Sequence, residues 1–398
     1  MLVVIRDGEE LSLKMNFVLQ LFGLSSTSRI LRVSRIDTKK FSEKWGNNKI
    51  DLATSTSGIL AYFLLMMLKS PRDLRDGMIR RLFRKQRTDV LVNEGFFSNL
   101  SKALYYYFAT IARTDGLIRF LRQSQSTKIF LIDEFLSINT VNLNKLKDLG
   151  IIIYVSQDVA HNRYDFKDNL ISRELMYKFE RKAVAFANVV IACSERDKLK
   201  YIEMGAQKAV FYPNIYPVTE FEPAYKDQSP SISIVLRGHW GLNAAKSLEE
   251  IFKALSLIHK KIRVYTIGVE PQAVPKNVDL QRLEYIPSKL DYLKILSKSW
   301  IGINVGIHMA GTNERKYDYA MANMVVFSDD LGVRGDLLPY EYAYVDSQDL
   351  AAKLNQLLEF GKEKIEEMGK QNRKHALSLA DNQRAELLTT INNILSCN

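Results

Sequence analysis

The chain has 398 residues, 46% hydrophobic and 25% charged, with a formal net charge of +11. This composition excludes a disordered or low-complexity polymer, and the length suffices for two domains, each burying its own core. Two cysteines, Cys193 and Cys397, offer neither a disulfide framework nor a thiolate metal site.

The N-terminus, MLVVIRDGEE, carries too short an apolar run and too early a charge for a signal peptide. No stretch reaches the ~18 apolar residues of a membrane span. A cytoplasmic location is expected. The excess of positive charge calls for an anionic partner: a nucleotide phosphate, a lipid surface or nucleic acid.

In chain order, Leu2–Ile5 and Ile30–Val33 read as strands. Gly58–Leu68, GILAYFLLMML, is bulky and apolar but too short to cross a bilayer. Lys69–Arg87 then holds eight basic residues against Asp73 and Asp76, with Met78, Ile79, Leu82 and Phe83 at helical spacing among the arginines. A basic amphipathic helix beside an apolar patch suits an anionic membrane surface; a helix packed on a sheet with a solvated basic face is the other reading.

Val90–Val92, Lys128–Ile132, Ile151–Val155 and Val189–Ala192 follow as strands, with helices at Lys102–Ala112 and Glu174–Ala187. Alternation of this kind predicts parallel sheets with crossover helices. Four of the nine prolines (Pro213, Pro217, Pro223 and Pro230) fall together, which excludes helix and central strand and makes Tyr212–Pro230 a linker. Strands resume at Ser231–Leu236, Arg263–Ile267, Trp300–Val305 and Met324–Phe327, and a last helix is expected at Gln383–Leu395. The fold class is therefore α/β, with two doubly wound units in series: a domain over 1–212, a linker over 213–230, a second domain over 231–380 and a C-terminal helix over 381–398.

Polar residues at the carboxyl ends of such strands face the ligand crevice. Asp133-Glu134 follow the strand KIFLI, and Ser156 to Asn162, including His161, follow the next. The carboxylates would orient or deprotonate a hydroxyl, or cap the next helix. In the second domain Arg237-Gly238-His239-Trp240-Gly241-Leu242-Asn243 follows the first strand. Glycines there let a backbone approach a pyrophosphate, and the next helix start offers free N–H groups; the same loop also reads as a simple turn. Arg237 and Lys246 are the phosphate candidates. Thr312–Asp330, TNERKYDYAMANMVVFSDD, reads as a helix running straight into a short buried strand.

This last segment resembles the donor-binding segment of group 1 (family 4) glycosyltransferases, with Arg315 at the family's Lys, Asp318 at its second Glu, Asn323 at its Gly and Val325 at its Pro. Glu174–Asn214 is similar to the helix, strand and Pro-Asn turn that end the family's first domain. There Asn188 replaces an aspartate, Ser194 is either a strand-end serine or a helix N-cap, and Asn214 closes the turn. Val264–Gly268 resembles the strand beneath the base, with Gly268 at its end, and Leu283–Pro287 resembles the edge that reads the base, through Ile286. Gly311 and Thr312 would offer backbone donors to the diphosphate. The family's first Glu falls at position 310, which is alanine.

The resemblance implies the GT-B fold, with two Rossmann-like domains facing across a cleft. The first would bind the acceptor and the second the nucleotide sugar, and the last helix would return towards the first domain. It implies transfer of a sugar from a nucleotide-diphosphate sugar with retention, without metal or cofactor. Arg237, Lys246 and Arg315 would meet phosphate, Asp318 the ribose, and His161 would lie near the acceptor. The basic segment Gly58–Arg87 adds the expectation of a glycan or lipid-linked acceptor at the inner face of a membrane. Two rival classes stand beside it: a catalytically degenerate GT-B partner subunit, and a basic nucleic-acid-binding protein. The second lacks basic residues interleaved with aromatic ones and is not expected.

Overall fold

The computed structural model describes residues 2–5, 30–33, 42–45, 48–51, 111, 114–119, 121–122, 128–133, 141–156, 159, 170–215, 221–235, 241–268, 270–284, 286–305, 314–329 and 338–396. The basic segment Gly58–Arg87, the strand expected at Val90–Val92 and nearly all of Lys102–Ala112 lie outside them. The chain divides into two compact units, residues 1–155 with 179–189, and residues 156–178 with 190–398.

The first sheet is formed by β1 (Leu2–Ile5), β2 (Ile30–Val33), β5 (Lys128–Asp133), β6 (Gly150–Val155), β7 (Val189–Ala192) and β8 (Ala209–Phe211), in the order β2-β1-β5-β6-β7-β8. A separate antiparallel pair joins β3 (Ser42–Trp45) to β4 (Asn48–Asp51). Helices α1 (Leu143–Lys147), α2 (Leu170–Phe186) and α3 (Glu195–Glu203) connect the later strands. Strands buried on both faces read as continuous apolar runs, and β6, β7 and β8 do so. Asn188, which stands where the resembled family has aspartate, stitches β6 to the start of β7: its Oδ1 accepts from Ile152 N at 2.8 Å, and its own N–H donates to Ile152 O.

The second sheet comprises β9 (Ser231–Val235), β10 (Ile262–Ile267), β11 (Val278–Leu283), β12 (Ile301–Asn304), β13 (Val325–Asp329) and β14 (Glu341–Tyr344), in the order β11-β10-β9-β12-β13-β14. Every pairing in it is parallel. Between these strands lie α4 (Gly241–Ser256), α5 (Lys289–Leu296), α6 (Glu314–Met321) and α7 (Ser347–Leu358), and α8 (Gly361–Ser396) closes the chain. One core on this sheet gathers Ile232, Ile234, Phe252, Leu255, Ile303 and Phe327; the other gathers Leu293, Tyr317, Tyr319 and Met321.

Expected and observed strands agree within two residues where the apolar run is long. The short strands β8 and β14, the six-residue β11 and the pair β3–β4 were not foreseen. Gln383–Leu395 proves to be the end of a single 36-residue helix. The proline-rich linker contains neither helix nor strand among its described residues. It is nonetheless packed: Ile215, Phe221 and Lys226 are all buried.

Candidate functional site

The order β11-β10-β9-β12-β13-β14 reverses direction between β9 and β12. In an open parallel sheet, the carboxyl ends of the two strands flanking such a reversal splay their following loops apart and leave a crevice. Here those ends are Val235 on β9 and Asn304-Val305 on β12.

Helix α6 drives two side chains into this point. The half-buried Arg315 donates to Val235 O at 2.8 Å through Nη1 and to Val305 O through Nη2, so one side chain spans both strand ends. The Tyr319 hydroxyl accepts from Val235 N and donates to Ile303 O, both at 3.1 Å. Its ring occupies the space above Gly302, where a Cβ would come within 2.3 Å of a ring carbon. Glycine at 302 is therefore a packing requirement, and the Tyr319 ring fills the volume that a side chain there would take.

On another face of α6, Glu314 and Asp318 stand four residues apart, hence on one side of the helix. Both meet the ammonium of Lys289 from α5, at 2.9 Å and 2.6 Å. Asp318 is only 5% exposed. Burial pushes its carboxyl up to about 6, opposed by the Lys289 charge and a hydrogen bond from Tyr292. Burial also disfavours the Lys289 charge, but the two carboxylates outweigh it and hold the ammonium above its ordinary value. Glu314, with a side chain 35% exposed, is the carboxylate of this group that meets solvent.

A second polar network lies at the carboxyl ends of β12 and β13. Asn304 Nδ2 donates to Ser328 Oγ at 3.2 Å, and Ser328 donates to Glu341 Oε1 at 2.6 Å. Glu341 also accepts from Leu338 N and pairs with Lys316 at 3.2 Å, both of its charged atoms lying in a fully buried ion pair. Asn304 Oδ1, and Thr266 Oγ1 near the end of β10, are buried without a hydrogen-bond partner. Orphaned buried polar atoms are uncommon and call for an explanation such as a functional role.

Asn323, aligned with a family glycine, has φ 56°, the one non-glycine in the left-handed region among the described residues. Gly268, at the end of β10, has φ 74°. Asn243 and Lys246 fall in the first turns of α4, which starts at Gly241 as the glycine loop implied. Ile286 is half-buried against the core that contains Tyr319. Asp133 is the last residue of β5. Ser194 is the N-cap of α3, accepting from Asp197 N at 3.0 Å, which realises its capping alternative. His161, Glu134, Arg237, Gly238, Ala310, Gly311 and Thr312 lie outside the described residues.

Sequence reasoning missed Lys289, Glu314, Tyr319 and the Lys316–Glu341 pair. The only available signal was the four-residue spacing of Glu314 and Asp318; their shared lysine comes from another helix, 25 residues before Glu314. Among the described residues, no group of three or more His, Cys, Asp or Glu side chains is arranged to hold a metal ion. No helix among them is long and apolar enough to cross a membrane.

No family model and no curated protein sequence matches the chain. Solved structures do. An α,α-trehalose 6-phosphate synthase from Burkholderia multivorans aligns over 100% of this chain and 98% of its own, with TM-score 0.62 and 11% identity. An E. coli trehalose-6-phosphate protein bound with UDP-2-fluoro glucose aligns over 98% of each chain, with TM-score 0.58 and 12% identity. A trehalose-6-phosphate synthase studied for glycosyl transfer with retention aligns over 98% of this chain and 99% of its own, with TM-score 0.58 and 12% identity. The chain therefore has the α/β fold of these proteins, the GT-B arrangement of two Rossmann-like domains.

Proposed function

We propose that the protein is a glycosyltransferase that takes a nucleotide-diphosphate sugar in its second domain and passes the sugar to an acceptor held by its first. The observation that carries this reading is the switch point of the second sheet, where α6 braces both strand ends with Arg315 and Tyr319 and brings Lys289, Glu314 and Asp318 beside them. Full-length likeness of fold to a protein bound with a UDP-sugar supports it.

In this reading the diphosphate meets the glycine loop with Arg237 and Lys246, and free N–H groups at the start of α4 add to the anion's stabilisation. Arg315 donates to two strand-end carbonyls, so its part is to shape the crevice. Asp318 remains the ribose candidate, with Glu314 one turn earlier as the more exposed carboxylate. His161 stands near the acceptor, and Asp133 and Glu134 orient an acceptor hydroxyl. Transfer proceeds with retention. The acceptor is a glycan or lipid-linked sugar, reached at an anionic membrane surface through Gly58–Arg87.

A non-catalytic sugar-nucleotide-binding subunit is the second reading, favoured by alanine at position 310. A thermal-shift screen with UDP-, GDP- and dTDP-sugars tests both. Stabilisation by at least one is expected, and stabilisation by none removes both. Release of free nucleoside diphosphate on adding acceptor separates the enzyme from the binder.

A further inference from the structure

Helix α6 has two ends, and only the first belongs to the crevice. The turn that follows it, Ala322-Asn323-Met324, is gripped by two other segments of the chain. From the linker, the Lys226 ammonium donates to Ala322 O at 2.9 Å and to Ser299 O at 2.5 Å, just ahead of β12. From α8, Asn372 Nδ2 donates to Met324 O at 3.0 Å. Gly369 lies so near that a Cβ there would come within 1.9 Å of Asn323 O. Lys226 is 5% exposed, so its amine reaches the turn from within the protein.

The rest of the linker is anchored with it. Ala224 N donates to Ser297 Oγ, Asp227 N to Lys298 O, and Trp300 Nε1 to Asp227 O. Arg373 of α8 donates to Phe221 O at 2.7 Å, and Lys362 of the same helix donates to Lys226 O at 3.1 Å. Linker and terminal helix thus hold each other as well as the turn.

Unpaired carbonyls gather where a helix ends, and the Lys226 amine donates to one of them, Ala322 O. An eight-residue helix is also too short to bend independently at its two ends, so a displacement at one reaches the other. We infer that Lys226 is a positioning residue for the proposed nucleotide site: it ties the linker to the far end of α6, so that occupancy of the crevice and the packing of the linker are coupled. Asn372 and Gly369 extend the same coupling to α8. This inference rests on the glycosyltransferase reading, through the ligand it assigns to the crevice.

The test is hydrogen–deuterium exchange on the full chain with and without UDP-glucose, and with GDP- and dTDP-glucose if that nucleotide does not bind. In the wild type, bound nucleotide is expected to slow exchange in residues 221–230 and 361–373 as well as in α6. Lys226→Met is expected to weaken nucleotide binding about tenfold, within the usual range of coupling between sites, and to abolish the linker response. Lys226→Gln, which keeps a donor for one of the two carbonyls, should recover part of both.

Two results would overturn the inference: nucleotide that binds and protects α6 while linker exchange is unchanged, or wild-type affinity in a folded Lys226→Met variant. The wild-type exchange pattern alone decides the matter if that variant does not fold. Absence of binding by any nucleotide sugar would instead sink the functional reading, which is a different failure.

Discussion

The two sheets are built from the same strand–helix alternation but fill their interiors differently. In β6, β7 and β8 the buried positions are Ile, Val, Tyr, Ala and Phe, and the Tyr154 hydroxyl donates to the buried Glu180 of α2. The second sheet buries Ser231, Ser233, Thr266, Asn304 and Ser328 within its strands, and Lys316 and Asp318 beside it. Burying polar groups costs free energy unless every one is satisfied, and Asn304 and Thr266 are each left with an unpartnered oxygen. The contrast teaches that the first set of strands leaves its buried charges to the flanking helices, at Glu180 and Asp197, whereas the second sheet carries polar side chains within the strands themselves.

The sharpest way to break this comparison is at Lys316. Lys316→Met leaves Glu341 charged and buried without its ammonium, and a loss of about 3–5 kcal/mol is expected in urea unfolding. Adding Glu341→Leu should recover part of that loss: it removes the unpaired charge but leaves Ser328 Oγ and Leu338 N without the acceptor that Glu341 provides. A double variant as unstable as the single would show that the pair holds more than itself. In the first sheet, Ile153→Ala is expected to cost about 2–4 kcal/mol by opening a cavity.

The smallest effect is at Lys226, and it depends on pH. Burial lowers its pKa to about 7, partly offset by Glu366 and Asp227 and reinforced by Lys370. The folded state therefore gives up this proton near pH 7, while the unfolded chain keeps it until near the ordinary lysine value. Between these limits the unfolded state binds more protons, so stability rises with pH. About 2 kcal/mol between pH 7 and pH 9 follows from one proton over that interval. Melting curves of wild type and Lys226→Met should diverge across this window, with the variant lacking the rise. Parallel curves would show that the amine is already solvated.

Much of the architecture was legible in the sequence, because long apolar runs and a proline cluster report directly on burial and on backbone freedom. β7 and β1 were placed to the residue for that reason. β11 was missed because VDLQRL is half polar, as suits the edge strand it proves to be. The linker was recognised as coil but not as buried coil, since proline density reveals the backbone and says nothing of what packs on Phe221 or Lys226. Of the candidate site, Thr312–Asp330 was read as a helix running into a buried strand, and α6 followed by β13 is that pair. Lys289 and Glu341 escaped notice because their importance arises from partners on other elements, and spacing along one chain cannot display that.

The terminal helix carries a mechanical consequence. At 1.5 Å per residue, its 36 residues make a rod about 54 Å long. Gly369 lets that rod lie directly against Asn323 O, and Ala376, Leu387 and Ile391 are buried beyond it, so any side chain at 369 would have to lift a rod that is seated along its length.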